Sequence, residues 1–477
     1  MLGNDLWRQN PKSRSYDYRL ISSRLGQLAT ARSEGDIYTL IDLLRSGLLR
    51  NLGSIGSIAL YNRTYLGSKL LIEDYIREVI QGLEFIDNIP LESGPITDQK
   101  RLDFFHDTRQ SFGRTALVLH GGTMFGLCHI GTVKALHANG LLPNIISGAT
   151  VGAIVAALVC SCPEDQLTNV LQNISKEIPP FTSEFASYKK ESVVEGVLTS
   201  MYPPEILLFE KYVRSVLGDM TFEEAYILSE RALNITVTPV SPVENNGNSG
   251  SSNKAKQVPK LMNYLTTPNI VIWTAIRASI GSGIFPETVE LLSKTSKGLV
   301  PYHATKVEFL PSNTTVYFSV RESPYTRLSE LFNVNNFIVS LARPYFAPVL
   351  MSEFKHRGYR SWKVRLVRLF RMEFQYRLVQ FTHLGILPDL VKRWFQDENI
   401  PGGFQVTIVP ELPNFVKDFA KVLDSHAIQE KVDYWILIGE RSVWPMMSVI
   451  WARCAIEFVL DGIYYRRAEG PSIEDHK

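Results

Sequence analysis

The chain has 477 residues, of which 45% are hydrophobic and 21% are charged, a composition typical of a globular protein with a substantial core. Its formal net charge of +2 provides no general attraction for nucleic acid, so we expect no nucleic-acid partner. The four cysteines lack the paired spacing of metal ligands, which argues against a metal centre and predicts buried thiols in a reducing compartment.

The hydrophobic pattern of residues 1–90 predicts an N-terminal helical domain. In "SYDYRLISSRLGQLATARSEGDIYTLIDLLRSGLLRNL", apolar residues recur every three or four positions with charges between them, as in amphipathic helices. Ser33 and Asp36 form a candidate capping box before "IYTLIDLL", and "SKLLIEDYIREVIQGLEFI" predicts another helix. The polar, proline-containing sequence that follows predicts a connector, which we place at residues 91–113.

From Arg114 onward the pattern predicts alternating strands and helices. "TALVLH" and "NIISG" are short apolar runs that predict buried strands at 115–120 and 144–148. A glycine-rich turn and the helix "LCHIGTVKALHANG" separate them, and the helix "AIVAALV" follows. This alternation predicts an α/β fold with a parallel sheet covered by helices, which we place at residues 114–341. The remaining predicted features of this core are strands at 233–240, 314–320 and 336–341 and a mobile insertion, rich in Asn, Ser and Gly, at 241–260.

One uncharged run, at residues 145–162, is nearly long enough to span a bilayer. The sequence Ser-Gly-Ala-Thr interrupts it near its start, where a turn is more natural than a membrane helix. A buried strand followed by a buried helix accounts for the run, and we favour this interpretation.

Residues 342–477 predict a helical C-terminal extension. Its most distinctive part is a basic amphipathic segment at 352–372, which contains seven lysines and arginines after position 354 and no acidic residue after Glu353. As a helix, this segment could lie on an anionic lipid surface, or it could pack its apolar side on the body of the protein. Both interpretations stay open. The cations that would contact lipid include Lys355, Lys363, Arg365 and Arg368.

The stretch "NIISGATVGAIVAALV", residues 144–159, is the strongest indication of chemistry. Gly148 and Gly152 flank Thr150 in a strand–turn–helix arrangement, which in many hydrolases presents a nucleophilic serine at a helix N-terminus. Such an elbow residue usually has a strained backbone, and a β-branched threonine there costs about 1–3 kcal/mol. Known threonine nucleophiles use the chain's own terminal amine as base, which the internal Thr150 lacks. The protein is therefore either a hydrolase with an unusual nucleophile or a hydrolase scaffold without the chemistry.

A second motif, "HGGTMFGLCHIG" at residues 120–131, lies one strand–helix unit before the elbow. A glycine-rich turn between a strand and a helix exposes backbone N–H groups that can bind an oxyanion or a phosphate. The order of the two motifs strengthens the prediction of an acyl-transfer site.

These two motifs, in this order and spacing, resemble those of the patatin-like phospholipases. The resemblance covers nearly the whole chain and is closer to the branch of triacylglycerol lipases from fungi and plants, as in "LMNYLTTPNIVIWTAIRAS", "LSELFNVNNFIVSLARPY" and "GERSVWP". It implies a three-layer α/β/α sandwich preceded by a helical domain. The implied activity is hydrolysis of triacylglycerols or phospholipids without a metal or organic cofactor, so the implied partner is acyl lipid.

The resemblance also implies a Ser–Asp dyad and an oxyanion loop of successive glycines. The nucleophile position falls on Thr150, and the acid position falls on Phe318. No aspartate occurs between Asp219 and Asp389. The oxyanion positions correspond to Gly121, Gly122, Thr123 and Gly126, with Thr123 in place of a third expected glycine.

Two histidines, His120 and His129, remain as candidate bases. His129 lies on the helix after the glycine-rich turn, and this position favours a packing role over that of a catalytic base. Loss of both the nucleophile and its acid predicts that activity is impaired or lost, because general base catalysis typically contributes 10²–10⁴-fold. The alternative is a non-catalytic pseudolipase that binds lipid or a partner lipase.

The first fifteen residues are polar and lack the apolar stretch of a secretory signal. We therefore expect an intracellular protein. The resemblance and the basic segment place it at a lipid-droplet or endoplasmic reticulum membrane surface.

Overall fold

A computed structural model describes most of the chain. The described residues are 2–64, 67–90, 96–121, 125–178, 204–239, 260–280, 287–302, 307–310, 323–344, 404–412 and 428–468, with a few isolated residues between 369 and 418. The predicted strand at 314–320, and all but the last residue of the predicted insertion at 241–260, lie outside them. Within the basic segment 352–372 only Leu369 is described.

The N-terminal region is helical, as predicted. Its helices are α1 (Leu2–Gln9), α2 (Tyr18–Glu34), α3 (Ile37–Gly47), α4 (Leu70–Asp87) and α5 (Asp98–Phe112). The predicted capping box was wrong, because Ser33 lies in the last turn of α2 and donates to the Thr30 carbonyl. Gly35, with φ of 69°, ends α2, and Asp36 alone caps α3 by accepting from the Thr39 N–H.

The first part of the α/β core alternates strands with helices in the predicted order. It consists of β1 (Arg114–His120), α6 (Cys128–Ala138), β2 (Ile145–Gly148), α7 (Val151–Cys160), α8 (Glu164–Glu177), α9 (Pro204–Leu217), α10 (Phe222–Ser229) and β3 (Ala232–Thr236). The strand-and-helix interpretation of residues 145–162 is confirmed by β2 and α7. All four cysteines are free and buried, as expected.

The second part of the core contains shorter strands. It consists of β4 (Thr238–Pro239), β5 (Leu261–Met262), α11 (Ile272–Ile280), β6 (Glu287–Val289), β7 (Leu292–Thr295), β8 (Gly298–Pro301), β9 (Val307–Leu310), α12 (Pro324–Phe332) and β10 (Val334–Leu341). The predicted strand at 233–240 is interrupted at Val237 between β3 and β4. The strand predicted at 336–341 is confirmed.

The main sheet has the strand order β11–β10–β1–β2–β3–β5, where β11 is Phe404–Ile408. All neighbouring pairs are parallel except β3 with β5. Side chains of β1 alternate between two cores. Leu117 and Leu119 face the larger core with α6 and α7, whereas Ala116 and Val118 face a smaller core beneath α12. Helices thus cover both faces, and the three-layer α/β/α fold is confirmed.

The predicted helical C-terminal extension also contains one strand. β11 adds a strand to the edge of the sheet, and the chain ends with α13 (Ile428–Val443) and α14 (Met447–Ala468). Helix α13 crosses α6 at backbone contact, since a Cβ at Gly131 would lie 1.9 Å from the Ile436 carbonyl oxygen. The C-terminal segment is therefore packed into the α/β core.

A buried cluster that we call the Arg50 clamp joins the N-terminal region, β1 and α14. Arg50 Nη1 lies 3.0 Å from Glu457 Oε2, and both side chains are less than 5% exposed. The Thr115 N–H donates to Glu457 Oε1 at 2.6 Å, and the Thr115 hydroxyl also donates to this carboxylate. Arg50 Nη2 donates to the Gly113 carbonyl at 2.8 Å. The clamp fixes three separate parts of the chain around one ion pair.

One described helical stretch, Gln429–Arg467, is long and apolar enough to cross a bilayer by length and composition. However, 61% of its most apolar window is buried inside the protein. It contains the clamp residue Glu457 and contacts α6 through α13. Core packing accounts for its hydrophobicity.

Candidate functional site

The elbow between β2 and α7 has the strained backbone that the sequence predicts. Thr150 has φ of 54° and ψ of −121° and is fully buried. The flanking glycines permit the tight turn, because a Cβ at Gly148 would lie 2.5 Å from the Gly152 carbonyl oxygen. A Cβ at Gly152 would lie 2.1 Å from the Leu119 carbonyl oxygen. The elbow therefore touches β1 backbone to backbone, and only glycine fits at either position.

Ser279 holds the elbow in place. The Thr150 N–H donates to Ser279 Oγ at 3.0 Å, and the Ser279 hydroxyl donates to the Thr236 carbonyl at 2.7 Å. This serine lies near the end of α11 and is fully buried. It connects the elbow to the carboxyl end of β3. Sequence reasoning missed Ser279, because 129 residues separate it from Thr150 and no local pattern marks it.

The Thr150 hydroxyl is buried without a hydrogen-bond partner among the described residues. Its backbone N–H and its helix position match those of a nucleophile elbow, but no described carboxylate or imidazole accepts the hydroxyl proton. A buried hydroxyl that makes no hydrogen bond loses about 1–3 kcal/mol of stability. The site therefore keeps a costly geometry around an alcohol for which the described residues supply no base.

The glycine-rich turn begins at Gly121, which has φ of 76°. Gly122 and Thr123 lie outside the described residues. The carbonyl of Gly126 accepts from the His129 N–H at 3.0 Å as α6 begins. Phe125 packs edge-on against Trp435 of α13, with ring centroids 5.3 Å apart. Helix α13 thus supports the turn from outside.

His129 is buried in the larger core and contacts β10. Its Nδ1 lies 2.9 Å from Ser340 Oγ, and its Nε2 has no hydrogen-bond partner among the described residues. Burial lowers the pKa of His129 to about 4, although the Gly121 carbonyl partly opposes this effect. No hydrogen bond joins His129 to Thr150 within the described part of the chain. This geometry fits the packing role better than a catalytic one.

His120 ends β1 and lines a narrow cleft beside the elbow. The cleft has a cavity volume of ≈ 10 Å³, about the space of one water molecule, and its lining includes Ser147, Gly148, Ala149, Thr236 and Tyr325. Burial, the Arg343 charge and His129 lower the pKa of His120 to about 3, so the imidazole is neutral at physiological pH. No hydrogen bond joins His120 to Thr150 among the described residues.

Phe318 and the basic residues Lys355, Lys363, Arg365 and Arg368 lie outside the described residues. Within the described part of the chain, no group of three or more His, Cys, Asp or Glu side chains could hold a metal ion.

Comparison with known proteins agrees with this geometry. Residues 117–286 match the family described as patatin-like phospholipase, and residues 1–110 match a domain of unknown function, DUF3336. The patatin match begins within β1 and includes both the glycine-rich turn and the elbow.

Curated relatives cover most of the chain. Triacylglycerol lipase ptl1 of Schizosaccharomyces pombe is 34% identical, over 95% of this chain and 78% of that protein. Triacylglycerol lipase 3 of Saccharomyces cerevisiae is 29% identical, over 98% of this chain and 85% of that protein. Triacylglycerol lipase SDP1L of Arabidopsis thaliana is 32% identical, over 94% of this chain but 54% of that protein.

The fold and the elbow define a patatin-type α/β protein. The chain belongs to the patatin-like phospholipase family, in the branch of fungal and plant triacylglycerol lipases.

Proposed function

We propose that this protein binds acyl lipid at the patatin-type site and that ester hydrolysis there is impaired or lost. The observation that carries this proposal is the buried Thr150 hydroxyl, which has no proton acceptor among the described residues. Lipid as the ligand is supported by the family and by relatives named as triacylglycerol lipases.

Chemistry at the elbow needs both an exposed nucleophile and a base. Thr150 carries an extra methyl group that crowds its oxygen, and its β-branch sits at a positive φ of 54°. Without a base, the alcohol keeps its proton, and this loss alone is typically worth 10²–10⁴-fold in rate. The hydrogen-bond donors that bind an ester carbonyl act independently of the nucleophile. The site can therefore bind an ester without cleaving it.

A gain-of-function series tests this proposal. The purified chain is compared with Thr150→Ser, Phe318→Asp and the double variant in release of fatty acid from triolein. We expect the wild type and both single variants to be inactive or slow, and the double variant to exceed them by at least about 10²-fold. Thermal unfolding of each variant controls for folding.

One result would contradict the proposal, and a second would extend the loss to other residues. Wild-type turnover equal to that of the double variant would mean that Thr150 and its surroundings are already competent. An inactive double variant that is folded would mean that some other part of the site has been lost as well. If the wild type releases fatty acid slowly and Thr150→Ser alone raises this rate, the protein is a hydrolase of lowered activity and not a pseudolipase.

We also propose that the basic segment 352–372 attaches the protein to the surface of a lipid droplet or the endoplasmic reticulum. Cations interleaved with apolar residues suit an anionic interface, and the described Leu369 is 66% exposed. Packing of the apolar side of this segment on the body of the protein is the alternative.

Charge reversal separates these two roles. The triple variant Lys363→Glu, Arg365→Glu and Arg368→Glu is compared with a control that reverses the exposed Lys100, Lys176 and Lys297. We expect the first triple variant to lose flotation with anionic liposomes and the control to keep it. Equal flotation of both would remove the lipid-surface role from the segment.

A further inference from the structure

Arg101 has a buried guanidinium edge that no described protein group uses. The side chain lies near the start of α5 and is 1% exposed. Its Nη1 donates to the Asp87 and Ile89 carbonyls at 3.1 and 2.8 Å, which caps the carboxyl end of α4. Its Nε and Nη2 are buried without a hydrogen-bond partner among the described residues. The contacts with α4 therefore account for only one of the three nitrogens.

The two unused nitrogens form one binding edge. Nε and Nη2 lie on the same side of the guanidinium plane, and their N–H groups can donate in parallel to two oxygens of one anion. Arg32 shows this edge in use, since its Nε and Nη2 donate to the two carboxylate oxygens of Glu78 at 2.6 and 3.1 Å. Arg101 has the same donor geometry, and the described residues supply no anion to it.

Two further arginines reach the same place from the end of α14. Arg467 Nη2 and Arg101 Nη1 donate to the same Asp87 carbonyl oxygen, so the two guanidinium groups are neighbours. Arg467 Nε and Arg466 Nη2 donate to the two carboxylate oxygens of Asp87, the latter at 3.3 Å. Burial and the neighbouring charge of Arg467 lower the pKa of the Arg101 guanidinium. The cluster therefore concentrates positive charge around Asp87.

The carboxylates of this cluster do not balance its arginines. Among the described residues, three arginines meet two carboxylates, namely Arg101, Arg466 and Arg467 with Asp87 and Asp98. Asp98 accepts from Arg467 Nη1 at 2.9 Å, and its side chain is 60% exposed. Because Asp98 precedes Arg101 by three residues, the two side chains lie on one face of α5. Asp98 is therefore the exposed carboxylate that an incoming anion would displace.

The amino end of α5 adds positive potential to the cluster. The helix has 15 residues, and its N-cap residue Thr97 makes no side-chain hydrogen bond to the first turn. The unused N–H groups of the first turn and the helix dipole favour an anion at this end. Donors that approach from two arginines and a helix end suit the several oxygens of a phosphate better than the two oxygens of a carboxylate.

We propose that Arg101, Arg467 and the amino end of α5 form a phosphate-binding site between the N-terminal region and α14. The phosphate accepts from Nε and Nη2 of Arg101 and replaces the Asp98 carboxylate on Arg467, and this displacement opens the buried edge. The ligand is a phosphate monoester on a lipid headgroup or a soluble phosphate. Because α5 leads into the amino end of β1, the site is separate from the elbow at the carboxyl edge of the sheet.

Binding of radiolabelled inorganic phosphate to the full chain tests the site. Equilibrium dialysis at constant ionic strength compares the wild type with Arg101→Met, and acetate serves as the competing carboxylate. We expect the wild type to bind phosphate saturably. Arg101→Met should bind it at least about tenfold more weakly, because two charge-assisted hydrogen bonds are lost. Acetate should displace the phosphate only in excess.

Further variants assign the binding to the proposed edge. Asp98→Asn removes the competing carboxylate and should raise the phosphate affinity. Arg101→Lys keeps the charge without the two-nitrogen edge, and its affinity should lie between those of the wild type and Arg101→Met. The matched control is Arg327→Met, which removes an exposed arginine from α12 and should leave the affinity unchanged. Thermal unfolding confirms that each variant is folded.

Liposomes separate the two sources of phosphate. Flotation with phosphatidate, whose headgroup is a phosphate monoester, is compared with flotation with phosphatidylcholine, which has no net charge. If the ligand is a lipid headgroup, Arg101→Met floats less than the wild type with phosphatidate and equally with phosphatidylcholine. If the two proteins float equally with both lipids while only the wild type binds inorganic phosphate tightly, the ligand is a soluble phosphate.

Three results would overturn the site. These are wild type that binds no inorganic phosphate saturably, equal affinities of the wild type and Arg101→Met, and displacement of phosphate by equimolar acetate. If Arg101→Met does not fold, a phosphate affinity that Asp98→Asn fails to raise and Arg101→Lys fails to lower contradicts the proposal instead. None of these results bears on acyl-lipid binding at the elbow.

Discussion

The Arg50 clamp and the Thr150 elbow are both buried and polar, but they differ in how their polar groups are used. In the clamp, the Glu457 carboxylate accepts from Arg50 and from both the N–H and the hydroxyl of Thr115. At the elbow, the Thr150 hydroxyl is fully buried and makes no hydrogen bond within the described residues.

The difference is one of degree, because Arg50 Nε of the clamp is also buried without a hydrogen-bond partner among the described residues. Buried polar groups that serve only the fold are normally satisfied by protein partners. Groups left unsatisfied in a strained turn at the carboxyl edge of a parallel sheet are available to a ligand. The protein thus retains the strained and destabilising elbow of a patatin-type site, although Thr150 occupies the nucleophile position.

The largest expected effect is at the clamp. Glu457→Ala leaves Arg50 buried without its partner, and we expect it to lower the free energy of unfolding by about 3–5 kcal/mol. Glu330→Ala, which breaks the exposed pair with Arg327, should cost no more than about 0.5 kcal/mol. Denaturant unfolding of both variants measures the difference, and similar losses would mean that the clamp is not a structural centre.

The second effect is a pH dependence at His120. Because the folded-state pKa of about 3 lies below the usual 6.5, the unfolded chain binds a proton that the folded chain does not. Stability from this group is therefore complete above about pH 6.5 and is lost as the pH falls towards 3. We expect a loss of about 2 kcal/mol at pH 5. His120→Asn should remove that part of the acid sensitivity, and an unchanged profile would contradict the neutral, buried imidazole.

The smallest effect is at the elbow itself. Ser279→Ala removes the acceptor of the Thr150 N–H, and we expect a loss of about 1–2 kcal/mol in unfolding free energy. Ser279→Thr keeps the hydroxyl and is the matched variant. If Ser279→Ala is as stable as the wild type, Ser279 does not hold the strained turn.

The sequence predicted correctly those elements whose hydrophobic pattern lies within one short stretch of the chain. β1 and β2 were predicted as buried runs because parallel strands covered on both faces are continuously apolar. Helix α7 was predicted because a helix that is apolar all round is buried in a core. Strand β11 was missed because "FQVTI" is short and lies in a region with helical patterning. Thr150 was found through its flanking glycines, whereas Ser279 gains its significance only from contacts that the fold creates.

The most direct test of the central claim is ester hydrolysis by the purified wild-type chain against Thr150→Ala, which removes the elbow hydroxyl and leaves the rest of the site in place. We predict that the two proteins release fatty acid from triolein at the same background rate. Robust turnover by the wild type that Thr150→Ala abolishes would contradict the account, because it would show that the Thr150 hydroxyl finds a base and attacks the ester.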